Sequence, residues 1–64
     1  MTESIRDDDV LAAARELIAR RGPAARQEAA ERAAELERQG RWPEHALAVR
    51  VLNAVESLLD GAAE

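Results

Sequence analysis

Two breaks in the chain constrain its fold more than any other feature: Gly22-Pro23 and Gly40-Arg41-Trp42-Pro43. In each, glycine can take the left-handed backbone conformation that closes a helix. Proline, whose missing N–H costs nothing in a first turn, can then open the next one. Gly61 offers a third stop near the end. No stretch alternates apolar and polar residues for long enough to make a strand. The punctuation therefore predicts an all-α chain with helices at 7–21, 23–39 and 43–60, a small three-helix bundle. With 64 residues there is room for one domain, 1–64, with 1–6 and 61–64 as frayed tails.

The first expected helix carries a compact apolar stripe, Val10, Leu11, Ala14, Leu17 and Ile18, spaced to share one face. Asp7, Asp8 and Asp9 stand at its start, and Ser4 with Asp7 fits a loose capping box. Consecutive aspartates point around a helix and not at one ion, so capping explains them better than a metal site. Arg20 and Arg21 have the right sign for the other end.

The second expected helix is built on small residues. Ala25, Ala29, Ala33 and Leu36 form its best apolar face, and Leu36 is its one large apolar side chain. Alanine favours helix but buries little, so this helix can approach its neighbours closely. The remainder is a mixed-charge coat in which Glu28 precedes Arg32 by four, and Arg32 and Arg38 flank Glu35. A solvated face with weak ion pairs is the first expectation; an arginine-bearing docking surface is the second.

The third expected helix holds most of the bulk. Leu47, Val51, Ala54, Val55 and Leu58 line one face, and Ala48, Leu52 and Leu59 widen it to an arc of roughly 160°. Val49 falls outside that arc, among His45, Asn53, Glu56 and Asp60. A helix this apolar either sits between both neighbours or shares its surplus with a second chain. Trp42, the only aromatic residue, is expected to close the end of the bundle as a staple; the alternative is a partner anchor. The candidate interaction surface is Trp42, Leu47, Val49, Leu52 and Leu59.

Chemistry has few places to reside. Cysteine is absent, His45 is the only histidine, and neither Ser4 nor Ser57 lies in a nucleophile setting. The isolated glycines make no phosphate-cradling loop. No catalytic residue, metal site, cofactor or small-molecule substrate is therefore expected. No apolar run approaches the ~18 residues of a membrane span. The polar start Met1-Thr2-Glu3-Ser4 is unlike a signal peptide, so a cytoplasmic location is expected.

Nine arginines in so short a chain raise nucleic-acid binding, and Leu36 to Val51 can be laid on a helix-turn-helix scheme. However, Glu44 and His45 would then occupy the base-reading end, and the arginines are interleaved with acids at a net charge of −4. With half of the 30 apolar residues being alanine, the exclusive use of arginine over lysine reads as coding bias.

Ala13-Ala14 through Leu17-Ile18 and Gly22, Ala29-Ala30 with Arg32-Ala33 and Leu36, Gly40, and Arg50-Val51-Leu52 with Ala54-Val55-Glu56 and Leu58 form a pattern. Over residues 9–59 it resembles small uncharacterised three-helix proteins of alphaproteobacteria. Those proteins often place tryptophan two residues before the arginine of the third helix, where this chain has Ala48. The resemblance implies the three-helix layout and a bacterial source, and no activity.

Domains this short are marginal as monomers. The expected function is a non-catalytic helical protein–protein interaction module, working as a homodimer or with a protein partner. The alternative is a small regulator that contacts nucleic acid as a dimer.

Overall fold

Both glycine breaks fall where the backbone turns left-handed: φ is +60° at Gly22 and +70° at Gly40. In the computed structural model, which describes residues 7–61, they separate helices α1 (Asp7–Arg21), α2 (Ala25–Arg38) and α3 (Trp42–Gly61). Every described residue outside the short turn at 39–41 is helical, and none is in a strand. The expected tail 1–6, residues 62–64 of the expected tail 61–64, and the Ser4 half of the capping box lie outside the described residues. Gly61 belongs to α3.

The two turns differ. After Gly22 a single 3-10 turn, Gly22–Ala24, leads directly into α2, closed by the Ala25 N–H donating to the Gly22 carbonyl. Pro23 lies in that turn, so α2 proper starts at Ala25, two residues later than the expected start at 23. Proline is compatible with such a first turn because it has no N–H to satisfy. At the other break the Gly40 N–H donates to the Glu37 carbonyl and the Arg41 N–H to the Leu36 carbonyl, both at 3.0 Å. These two bonds satisfy carbonyls that the end of α2 leaves open, and only a residue at ease with positive φ permits them. Arg41 at once accepts the first bond of α3, from the His45 N–H at 2.8 Å.

α3 lies in the middle: α1 and α2 each pack along it and touch one another little. α2 runs antiparallel to it. Arg26, at the start of α2, reaches Asp60 at the end of α3 (3.2 Å), and Glu37, at the end of α2, lies 3.9 Å from His45 at the start of α3. The wide apolar arc of α3 is thus explained first by its two neighbours.

Ala14, Ala25 and Val55, one residue from each helix, are completely buried and form the centre, with Leu17, Ile18, Val51, Ala54, Leu58 and Leu59 packed around them. A second cluster of Ala33, Leu36 and Ala48 joins α2 to the first half of α3, with Val49 against it. The alanine face expected of the second helix is buried at all four positions, Ala25, Ala29, Ala33 and Leu36. Small side chains at these contacts bring α2 close enough for its flank to cover more of α3 than α3's own periodicity indicates.

Candidate functional site

The described structure has a concave region beside the first half of α3. α1 and α2 touch one another little, and a groove of about 410 Å³ lies between them over α3. Its floor is Leu47, Ala48 and Val51 of α3. One wall is Ala13, Leu17 and Arg20 of α1; the other is Glu28, Ala29, Arg32 and Leu36 of α2, and Glu44 closes one end. Each helix contributes positions separated by about two turns, so the groove is roughly 10 Å long. Its volume falls in the ~300–1,000 Å³ range of ligand clefts.

The charges on its rim are unequal in their commitments. Glu28 is bound to Arg21 (Nε to Oε1, 2.8 Å), and Glu44 to Arg41 (3.3 Å). Glu35 takes Arg38 and Gln39. Arg20 and Arg32 make no ion pair or hydrogen bond among the described residues. The expected Glu28–Arg32 pair is not formed: the positive φ of Gly22 folds the chain back so that Arg21 meets Glu28 first. The expected association of Arg38 with Glu35 is present.

The five residues singled out from the sequence do not form one surface. Leu47 is on the groove floor. Leu59 packs against the central cluster, and Leu52 is half-buried. Val49 packs against Ala33, Leu36 and Ala48, where helical periodicity alone set it among polar neighbours. The correction follows from α2, which covers that flank of α3. Trp42 is neither core nor staple: it is 56% exposed, and its ring meets only the edge of His45, centroids 5.5 Å apart at 88°. The turn at Gly40 passes straight into α3, so Trp42 starts the helix. Leu47 and Trp42 are five residues apart and point to different sides of α3.

Leu17, Arg20, Arg32 and Leu36 are among the groove residues that the five omit. The spacing of Leu17 and Arg20 on α1, and of Arg32 and Leu36 on α2, puts each pair on one helix face, but only the tertiary arrangement turns those faces toward each other.

A helix-turn-helix pair diverges at about 90–120°, whereas α2 and α3 touch at both ends through Arg26–Asp60 and Glu37–His45. Among the described residues, no three histidine or acidic side chains converge as a metal site. None of the described helices is long and apolar enough to cross a membrane. No family model, curated protein or solved structure matches the chain.

Proposed function

We propose that the chain is a small three-helix bundle that acts in the cytoplasm as a non-catalytic docking module, receiving a protein segment in the groove between α1 and α2. The observation that carries this reading is the groove itself: an apolar floor of Leu47, Ala48 and Val51, walled by Leu17 and Leu36, and open to solvent. Two turns of lining on each helix match the anchor spacing of an amphipathic helix laid in a groove, at i, i+3 or i+4, and i+7. Self-association through α3 has less to draw on than its sequence suggests, because α1 and α2 occupy both of its flanks. The regulator reading gains no support from the side-by-side placement of α2 and α3.

The test is a titration of isotope-labelled protein with a synthetic amphipathic helix carrying a leucine stripe and an uncharged polar face. Amide and methyl shifts should concentrate at Leu17, Leu36, Leu47 and Val51 and disappear in Leu47→Asp. Shifts scattered over the surface, or unchanged by Leu47→Asp, would overturn the reading.

A further inference from the structure

We infer that the partner segment is acidic: an amphipathic helix of another protein whose carboxylates engage Arg20 and Arg32 while its apolar ridge lies on Leu47 and Val51. The inference rests on the docking reading above and specifies the chemistry of the occupant. Its basis is charge complementarity. The chain carries a net charge of −4, and the groove is lined by two arginines and two glutamates. Glu28 and Glu44 are neutralised by Arg21 and Arg41, which leaves the Arg20 and Arg32 guanidiniums, one on each wall, without a partner among the described residues. A guanidinium offers several donors in a planar fork that matches a carboxylate. Two of them on opposite walls of one apolar channel suit a helix with acids along both sides of its apolar stripe.

The geometry also selects against a second copy of the chain. A two-fold dimer joined groove to groove would set two concave surfaces face to face, leaving the floors unfilled. It would also bring Arg20 and Arg32 toward the same residues of the other copy. A convex, negatively charged occupant satisfies both shape and charge.

The experiment compares three synthetic helices with the same leucine stripe, flanked by glutamate, glutamine or lysine, binding to the full chain and to the double variant R20Q/R32Q. Both arginines are exposed and without a partner among the described residues, so the variant should keep its helical circular dichroism. The glutamate helix should bind about five- to tenfold more tightly than the lysine helix at low salt, a gap that narrows with added salt. In R20Q/R32Q the three should bind alike. Equal affinity of all three helices for the wild-type chain would overturn the acidic preference while leaving the docking site intact. Absence of binding by all three would overturn both. Sedimentation equilibrium of the chain alone gives an independent check: a dimer that dissociates in R20Q/R32Q would make the occupant a second copy and overturn the inference.

Discussion

The two halves of α3 are made of similar residues but differ in how they are enclosed. In the second half Val55 is fully buried, with Ala14 of α1 and Ala25 of α2 beside it and Leu58 and Leu59 around it. In the first half Ala48 and Val49 meet α2 through Ala33 and Leu36, Val51 packs against the central cluster while also lining the groove, and Leu47 lies on the groove floor. The second half is the closed one, around a fully buried valine, and the first is open at the groove. Apolar surface that is fully covered stabilises the fold, whereas surface that borders an open groove contributes less. Under the docking reading proposed above, stability and docking fall on different turns of the same helix.

The most direct way to break this contrast is to place the same charge in each half. Val55→Asp puts a carboxylate where no polar group is buried among the described residues, with no partner to receive it. Its cost, about 4–5 kcal/mol or more, is comparable to the ~3–10 kcal/mol total stability of a chain this short. The expected outcome is loss of the cooperative helical transition in thermal circular dichroism. Leu47→Asp, in the open half, can reach water and should cost about 1 kcal/mol or less. Similar destabilisation by the two changes would remove the distinction between the halves.

Much of the closed half can be read from the sequence and much of the open half cannot, for a physical reason. Ala25, Ala29, Ala33 and Leu36 lie on one helical face by spacing alone, and all four are buried. The glycine breaks are equally legible, because only a narrow set of residues tolerates the backbone they require. Glu28 shows where such reading stops. Its spacing offers Arg32, but the turn at Gly22 offers Arg21, and the choice depends on three-dimensional direction across a 3-10 turn. Val49 and Trp42 exchange their expected surroundings for the same kind of reason: α2 extends over Val49, and the tight turn at Gly40 leaves Trp42 exposed at the start of α3. Periodicity describes one helix, and each of these placements depends on two.

A smaller effect tests how firmly α2 is set against the first half of α3. Gly40 holds φ at +70°, and a Cβ added there would meet nothing within 4 Å. Gly40→Ala therefore carries only the backbone penalty of the left-handed region, about 1 kcal/mol. For a domain of this size that is a fall in Tm of about 4–8 °C. Because the Leu36 and Glu37 carbonyls are bound through this turn, hydrogen exchange should accelerate around 36–49 before it does around Val55. Uniform acceleration along α3 would mean that the two halves open as one unit.

The smallest expected effect is at the most conspicuous residue. Trp42 begins the same helix, and tryptophan in a small bundle is ordinarily an anchor of the core. Here its ring is 56% exposed and touches His45 edge-on, so its removal uncovers little buried apolar surface. Trp42→Ala should change stability by no more than about 0.5 kcal/mol. Since no other aromatic residue is present, the fluorescence of Trp42 reports on this corner alone, and its emission should be that of an indole in water. Occupation of the groove should leave that emission nearly unchanged, because Trp42 and Leu47 face different sides of α3. A blue shift on binding the acidic helix would extend the docking surface around α3 to Trp42 and join two faces that the fold keeps apart.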